Sequence, residues 1–233
     1  MKWKQLLCCC LLLCVGSGCG HTAAAPVDEV PASAQEEAAV DCRVACVGDS
    51  LTAGFGARSY VAYLSEQPGV VAENFGVCGT TVCDGAAAYT HTPAYEDSLD
   101  MAADSVVLML GTNDSVQWNG KMAFYEALSD LVDTYTEETD QVLICTPLAP
   151  TEDNDFNIDR ATFEDICAVI KAVAEEKQLP LLDFYDRTCT MDQYTIGDGI
   201  HPSEETSAWM AEQVYQQLCD LGWVKNTASE DTK

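Results

Sequence analysis

Two short segments of the sequence carry residues suited to nucleophilic catalysis. The first, VACVGDSLTAGFG at 44–56, passes from apolar residues into glycines and places Ser50 at the corner. The second, DGIHP at 198–202, places Asp198 three residues before His201. A serine hydroxyl needs a base within hydrogen-bond reach, and a carboxylate beside that base fixes its tautomer. We therefore interpret Ser50 as a nucleophile, His201 as its base and Asp198 as the group that orients the imidazole.

The other two histidines of the sequence fit the role of base less well. His21 lies in a polar segment near the N-terminus, and His91, in THTPAY, has no acid within its own turn. Pro202 disfavours a helical backbone at His201, and Ser203 can cap a helix that follows. The His201 imidazole is therefore expected at the start of a helix, facing the crevice in which Ser50 lies.

Acyl transfer also needs fixed N–H donors for the oxyanion that forms on attack. The candidates are the backbone N–H groups of Ser50 and Gly79 and the side-chain amide of Asn113, within GTND at 111–114. Gly79 suits this role because it has no side chain, and Asn113 because its amide does not titrate. Each motif alone also fits an ordinary turn or strand-end cap, and Asp-x-x-His alone fits half a metal site. Their order along the chain, each after a predicted strand, favours catalysis.

The elements that must position these groups follow from the apolar pattern. Five short aliphatic or β-branched runs are typical of strands buried on both faces, at 43–47, 70–77, 106–110, 142–146 and 179–184. Helical spacings of apolar residues, typical of core packing, lie at 125–135, 163–173 and 210–221. This alternation predicts a parallel sheet with helices on both faces over about residues 42 to 221. Reactive groups in such sheets gather at the carboxyl ends of the strands.

Taken together, these motifs resemble the four blocks of the SGNH (GDSL) hydrolases. The matching residues are Gly48-Asp49-Ser50-Leu51, Gly79, Gly111-Thr112-Asn113-Asp114, and Asp198 with His201. The resemblance implies a flavodoxin-like three-layer α/β/α sandwich with a five-stranded parallel sheet, over a hydrolase domain at 42–224. It also implies that Ser50 is the nucleophile, that Ser50, Gly79 and Asn113 form the oxyanion hole, and that no metal or organic cofactor takes part.

Cys78 departs from the family pattern, because a small hydroxyl or apolar residue is more usual beside the oxyanion glycine. Eight of the thirteen cysteines follow residue 19, and an even number in an exported chain permits disulfides without proving them. Cys42 and Cys46 cannot pair on one strand, where they would lie about 13 Å apart. Cys78 and Cys83 could close a short loop, or Cys78 could be a buried thiol.

Substrate preference rests on a narrower resemblance. The segments TPAY (92–95) and GTNDSVQWN (111–119) look most like family members that remove acetyl groups from carbohydrates. Trp118 is a candidate for stacking on a sugar ring, with a loop anchor as the alternative, and further pocket candidates are Arg58, Tyr89 and Tyr95. We predict a serine esterase for short acyl esters on carbohydrates. The alternatives are a lysophospholipase or thioesterase for longer acyl chains and a non-catalytic glycan-binding protein.

Residues 1–19 are typical of a cleaved export signal. Lys2 and Lys4 precede LLCCCLLLCV, which is apolar but too short to span a bilayer. The following VGSGCG resembles a bacterial lipobox with Cys19 as the lipidated residue, although Gly16 stands where a larger aliphatic residue is usual. We expect an extracytoplasmic protein, either a cell-surface lipoprotein that contacts the membrane through a lipid on Cys19 or a plainly secreted one.

Composition accounts for the segments that flank the predicted domain. Residues 20–41, rich in Ala, Pro and Glu, are predicted to be a disordered tether, and residues 225–233 a disordered tail. The chain has 11 Lys and Arg against 38 Asp and Glu, a formal net charge of −27. Nucleic acids would be repelled, so the partner expected is a small-molecule or oligosaccharide ester that is neutral or weakly charged.

An acidic segment was also compared with a calcium-binding loop. Its oxygen-bearing side chains occur at the right intervals, at Asp153, Asp155, Asn157, Asp159 and Glu164. Ile158, however, stands where the loop needs a glycine, and acids are expected before the start of a helix on electrostatic grounds alone. No metal site is therefore predicted.

Overall fold

The computed structural model describes residues 41–225. Outside the described residues lie the predicted leader with Cys19, all but the last residue of the predicted tether, and all but the first residue of the predicted tail. Five parallel strands form one sheet in the spatial order β2-β1-β3-β4-β5. In chain order they are β1 (Cys42–Gly48), β2 (Val70–Gly76), β3 (Ser105–Met109), β4 (Val142–Thr146) and β5 (Leu181–Asp183). All five predicted strands are confirmed, and β5 is shorter than its apolar run.

Within residues 41–225, seven α-helices connect or follow these strands. They are α1 (Ser50–Ala53), α2 (Tyr60–Leu64), α3 (Pro93–Asp100), α4 (Lys121–Glu138), α5 (Arg160–Glu176), α6 (Phe184–Thr188) and α7 (Glu204–Asp220). Short 3-10 turns lie at Tyr89–His91 and Asn113–Ser115. The three long helices, α4, α5 and α7, are those that the apolar spacing predicts. The other four were not predicted, because helices of four to eight residues show no clear 3.6-residue period.

The sheet separates two apolar cores, as a three-layer sandwich requires. Val44 and Cys46 of β1 face one core, and the alternate residues Ala45 and Val47 face the other. Helices α2 and α7 supply side chains to the first core, and α4 supplies side chains to the second. Side chains of α5 enter both cores. The predicted α/β/α sandwich is thus the observed fold.

Two glycines let α1 lie directly against the ends of the strands. A Cβ at Gly48 would lie 2.1 Å from Thr52 Oγ1 and 2.6 Å from the Met109 carbonyl oxygen. A Cβ at Gly76 would lie 2.3 Å from the backbone nitrogen of Ala53. Because any larger residue would push α1 away, these glycines fix the corner at which Ser50 begins the helix.

The eight cysteines of the described residues are all free thiols. Cys42 and Cys46 both lie on β1, the arrangement in which the two cannot pair with each other. Cys78 and Cys83 are not joined, so the short-loop disulfide is absent from this structure. Cys78 is exposed and is therefore not a buried thiol. The loop that carries Gly79, beside Cys78, is therefore held by contacts other than a disulfide.

Between residues 41 and 225, no helix combines the length and apolar character needed to cross a bilayer. The same part of the chain holds no cluster of three or more His, Cys, Asp or Glu side chains placed to bind a metal ion. In the acidic segment, Asp159 instead caps α5, because its carboxylate accepts from the Thr162 amide at 2.9 Å.

Candidate active site

Ser50, His201 and Asp198 lie in one hydrogen-bonded row at the carboxyl end of the sheet. Ser50 Oγ is 2.9 Å from His201 Nε2, and His201 Nδ1 is 2.6 Å from Asp198 Oδ2. The second oxygen of Asp198, Oδ1, accepts from the amide N–H groups of Ile200 and His201, each at 2.9 Å. The fold thus joins a serine after the first strand to a histidine before the last helix.

Electrostatics assign the protons in this row. Burial would raise the pKa of Asp198, but hydrogen bonds from the His201 ring and from the Ile200 and His201 amides lower it below its ordinary value. The carboxylate is therefore ionised at neutral pH and can only accept hydrogen bonds. It follows that Nδ1 of His201 carries the proton and that Nε2 accepts from the Ser50 hydroxyl.

Local backbone structure holds each member of the row. Asp49 caps α1, with its Oδ1 accepting from the Leu51 amide at 3.0 Å, so Ser50 stands in the first turn. The Ile196 amide donates to the His201 carbonyl at 2.9 Å, and Ser203 caps α7 by accepting from the Thr206 amide at 3.2 Å. The predicted place of His201, just before a helix capped by Ser203, is confirmed.

The three predicted oxyanion donors face the same cavity. Gly79 has a φ of +82°, and a Cβ there would meet no atom within 4 Å, so the left-handed backbone rather than crowding favours glycine. Asn113 Nδ2 donates to the Thr80 carbonyl at 2.9 Å and is only weakly engaged with Asp49 Oδ2, at 3.5 Å. Within residues 41–225 the backbone N–H groups of Ser50 and Gly79 have no hydrogen-bond acceptor. Three N–H groups are thus available to a substrate oxygen.

Asp114 holds the loop that carries Gly79, a role that the sequence interpretation missed. Its buried carboxylate accepts from the Val82 amide at 3.0 and 3.1 Å and from the Cys83 amide at 2.9 Å. Burial raises the pKa of Asp114, although these amide hydrogen bonds act to lower it. The end of β3 therefore supplies both the Asn113 amide and the anchor of the neighbouring loop. The only sequence signal was that Asp114 follows Asn113 in the motif.

Ser50 and His201 open onto a cavity of about 170 Å³. Its polar or small lining residues are Ser50, Cys78, Gly79, Thr112, Asn113 and His201. Its apolar walls come from Phe55, Val116, Phe156, Ile158 and Ile200. No lysine, arginine, aspartate or glutamate lines this cavity among the described residues. The site therefore combines a polar floor with uncharged, apolar walls.

The four residues proposed from sequence as pocket residues do not line this cavity, and that prediction is corrected. Tyr89 is fully buried in the second core and donates its hydroxyl to the Phe75 carbonyl at 2.8 Å. Tyr95 packs edge-on against Tyr89, with the ring centroids 6.1 Å apart. Tyr89 is thus a core residue, and Tyr95 is a partly buried residue that packs against the same core.

The remaining two corrections concern side chains held by local contacts outside the cavity. The Trp118 ring packs on Phe124 at 6.0 Å between centroids, which favours its alternative interpretation as a loop anchor. The Arg58 guanidinium lies 4.2 Å from the centre of the Tyr63 ring and forms an ion pair with Glu66. Aromatic and cationic residue types alone did not identify the pocket walls.

The fold and the site together place a serine, a histidine and a carboxylate in one hydrogen-bonded row at the carboxyl end of the parallel sheet of a three-layer α/β/α sandwich. Residues 46–209 match the GDSL-like lipase/acylhydrolase family, and the chain belongs to this family. Membership of this family places the protein among the carboxylic ester hydrolases.

Two relatives with assigned activities are similar to the chain. An acetylxylan esterase of Xylanibacter ruminicola is 29% identical over 200 residues, covering 73% of this chain and 42% of that protein. An arylesterase of Vibrio mimicus is 24% identical over 186 residues, covering 74% of this chain and 86% of that protein. The chain thus spans about two fifths of the length of the first relative and most of the second.

Solved structures show the same fold. A lipase/acylhydrolase from Enterococcus faecalis has a TM-score of 0.66 at 21% identity, with 79% of this chain and 97% of that chain covered. A catalytic mutant of an acetylxylan esterase from Geobacillus stearothermophilus has a TM-score of 0.61 at 23% identity, with 81% and 98% covered. At these identities the similarity establishes the architecture alone.

Proposed function

We propose that the protein is a serine esterase that removes short acyl groups, above all acetyl groups, from carbohydrates. The observation that carries this proposal is the hydrogen-bonded row of Asp198, His201 and Ser50 at the floor of a small cavity. The acetylxylan esterase among the relatives supports the choice of acyl group and of alcohol.

The geometry supports an acyl-enzyme mechanism. Ser50 Oγ attacks the ester carbonyl while His201 Nε2 takes the hydroxyl proton, and Asp198 stabilises the imidazolium that forms. The oxyanion accepts hydrogen bonds from the Ser50 and Gly79 amides and from Asn113 Nδ2. Collapse of this intermediate breaks the bond to the alcohol oxygen, which takes the proton from His201. Water then attacks the acyl-enzyme with His201 as base, releasing the carboxylic acid and Ser50.

The size of the cavity favours short acyl groups. Sites that enclose drug-sized ligands have volumes of roughly 300 to 1,000 Å³, and this cavity, at about 170 Å³, is smaller. The distal part of a long acyl chain would extend beyond it into water. Because that part stays unburied, it would add little to the free energy of binding. The uncharged lining also offers no partner for a charged lipid headgroup.

A panel of esters that differ only in acyl length tests this proposal. We expect kcat/KM to be highest for 4-nitrophenyl acetate and lower for the butyrate and octanoate, and we expect release of acetate from acetylated xylooligosaccharides. Ser50→Ala should lower kcat by about 10⁴-fold or more. Ser65→Ala, at an exposed serine after α2, is the matched control and should keep full activity.

Three results would count against the proposal in different ways. A preference for octanoate would favour a lysophospholipase or thioesterase over an acetylesterase. Activity of Ser50→Ala within a few-fold of the wild type would remove the nucleophile assignment. Wild-type protein that is not labelled at Ser50 by a fluorophosphonate probe, but binds glycans, would favour a non-catalytic binding protein.

The leader pattern supports an extracytoplasmic location as a separate part of the proposal. Cleavage before Cys19 and transfer of a diacylglyceryl group to its thiol would leave the esterase domain attached to a membrane. Mass spectrometry of the mature N-terminus is the test. An unmodified terminus beyond Cys19 would leave plain secretion, and an intact Met1 would exclude both forms of export.

A further inference from the structure

We propose that Phe55 and Phe156 form a binding site for the alcohol part of the ester, and that this site takes an uncharged alcohol presenting the flat apolar face of a ring. The proposal rests on the proposed function, because it takes His201 as the group that protonates the departing alcohol. It adds the residues that recognise that alcohol and the chemistry they select.

The two phenylalanine rings flank the His201 imidazole. The Phe55 ring centroid lies 4.4 Å from that of the imidazole, at an interplanar angle of 40°, and the Phe156 ring lies 5.6 Å away, nearly perpendicular at 77°. His201 itself is 5% exposed, whereas Phe55 and Phe156 are 49% and 46% exposed. The rings therefore form the part of the cavity that meets solvent beside the buried imidazole.

The chemistry of the leaving group places the alcohol against these rings. When the bond between the acyl carbon and the alcohol oxygen breaks, His201 Nε2 gives that oxygen the proton it took from Ser50. Proton transfer requires the two atoms to lie about 3 Å apart. The rest of the alcohol then extends from a point in contact with the imidazole, where Phe55 and Phe156 are the neighbouring solvent-facing side chains. An alcohol larger than one or two carbons therefore comes within reach of these rings.

The backbone holds Phe55 at a fixed place relative to the nucleophile. Gly54 and Gly56 on either side have φ values of +90° and +74°, a left-handed backbone that favours glycine. The Phe55 amide donates to the Ser50 carbonyl at 3.1 Å. The turn GFG thus projects a large apolar side chain outward from the first helix of the site. Together with Phe156 and Val116, which line the same cavity, Phe55 forms an exposed apolar patch, and such a patch favours a role in binding.

Phe156 is fixed in the same way to the segment that carries His201. The Thr151 amide donates to the Gly199 carbonyl at 2.9 Å, and the Asp155 amide donates to the Asp198 carbonyl at 3.0 Å. A Cβ at Gly199 would lie 2.3 Å from Thr151 Oγ1, so only glycine permits this approach. The loop before α5 is therefore joined to the Asp198 turn and holds its aromatic side chain over the imidazole.

The surroundings select an uncharged ring. Among the described residues, no acidic side chain and no lysine or arginine lines the cavity, so a charged alcohol would lose hydration without gaining a partner. Aromatic faces bind flat apolar surfaces, and both the C–H face of a pyranose and an aryl ring present one. These two kinds of alcohol share the chemistry and are separated by the experiment.

Three acetate esters test the site, because all give the same acetyl-enzyme and differ only in the alcohol. They are acetylated xylobiose with a pyranose ring, 4-nitrophenyl acetate with an aryl ring, and ethyl acetate with no ring. We expect Phe55→Ala/Phe156→Ala to lower kcat/KM about tenfold for a ring ester and less than about twofold for ethyl acetate. The single variant Phe156→Leu should lower kcat/KM by a smaller factor, again more for the ring esters than for ethyl acetate. Met122→Ala, at an exposed apolar residue of α4 outside the cavity, should change none of the three.

The outcomes are distinguishable. A loss confined to the xylobiose ester identifies sugar alcohols, and a loss confined to the nitrophenyl ester identifies aromatic alcohols; both support the site. Equal losses on all three esters, or no loss on any, would overturn it, because the rings would then only support His201 or do nothing.

Fluorophosphonate labelling of Ser50 at the wild-type rate verifies that a variant is folded. If the double variant fails this check, Phe156→Leu decides. Wild-type protein that hydrolyses none of the esters would defeat the proposed function itself.

Discussion

The hydrogen-bonded floor of the cavity and its apolar walls are built in opposite ways. Ser50 and His201 are 6% and 5% exposed and are held by several hydrogen bonds, whereas three of the five wall residues, Phe55, Phe156 and Val116, are 49%, 46% and 60% exposed. Under the proposed mechanism, a change in the floor alters groups that every ester must use. A change in the walls alters contacts that only some esters make. We therefore expect floor variants to lower the rate on all substrates and wall variants to change the ranking of substrates.

The largest effect in the floor is expected from Asp198→Asn. Asp198 Oδ1 accepts from two backbone amides, so the asparagine carbonyl oxygen should keep that place and turn its NH₂ group toward His201 Nδ1. The imidazole would then carry its proton on Nε2 and could not accept from Ser50. We expect kcat on 4-nitrophenyl acetate and on ethyl acetate to fall by about 10⁴-fold with an unchanged fold.

Circular dichroism and the midpoint of urea unfolding serve as the controls for that variant. A loss below about tenfold, with the fold intact, would show that Asp198 does not set the tautomer. A loss on only one of the two esters would break the distinction between floor and walls.

A smaller effect on all esters is expected from Asn113→Ala. One N–H of the Asn113 amide is donated to the Thr80 carbonyl at 2.9 Å, and the other, only weakly engaged with Asp49 Oδ2 at 3.5 Å, is the one that we propose binds the oxyanion. Removing one such donor lowers kcat by about 10²- to 10³-fold in serine hydrolases. We expect this loss with little change in KM, measured on the same two esters. Asn113→Asp, similar in shape but without the donor, should be at least as impaired; near-wild-type activity of either variant would exclude Asn113 from the oxyanion hole.

The fold and the floor could largely be predicted from sequence because their residue types are restricted. Strands buried on both faces need uninterrupted apolar runs, and the reactive groups follow strand ends in short motifs with few substitutes. The geometry of Ser50, His201 and Asn113 follows from these constraints. Helices α1, α2, α3 and α6 were missed because they are too short to show a helical period of apolar residues. The role of Asp114 was missed because no sequence pattern marks a buried carboxylate that accepts hydrogen bonds from backbone amides.

The walls could not be predicted, since any large apolar residue on the right loop can supply them. Tyr89 and Tyr95 were chosen for their residue type, yet both pack in the core. Phe55 and Phe156 carry the same chemical signal and differ only in exposure, which depends on the tertiary packing of their loops. In retrospect the turn GFG, with an apolar residue between two glycines, was the signal available for Phe55.

The smallest expected effect is on the free energy of unfolding, and it comes from the buried carboxyl group of Asp49 in the floor. Asp49 is fully buried, and this burial raises its pKa from 3.8 to about 6, although a hydrogen bond from the Leu51 amide acts to lower it. The unfolded chain ionises this carboxyl near pH 4 and the folded protein only near pH 6. Unfolding between these values therefore releases a proton, and the contribution of Asp49 to stability is lost as pH rises through this window and then stays constant.

Asp49→Asn should remove this loss, because the asparagine oxygen can still accept from the Leu51 amide and has no charge to bury. Relative to the wild type, the variant should gain about 1.5 kcal/mol in free energy of unfolding between pH 5 and pH 8, measured by urea titration. Asp100→Asn, at an exposed aspartate that ends α3, should show no such gain. An equal change in both variants would mean that general surface charge, rather than the buried carboxylate, governs the pH dependence. A gain specific to Asp49→Asn would show that the floor is held in its geometry at a cost in stability that the exposed apolar walls do not share.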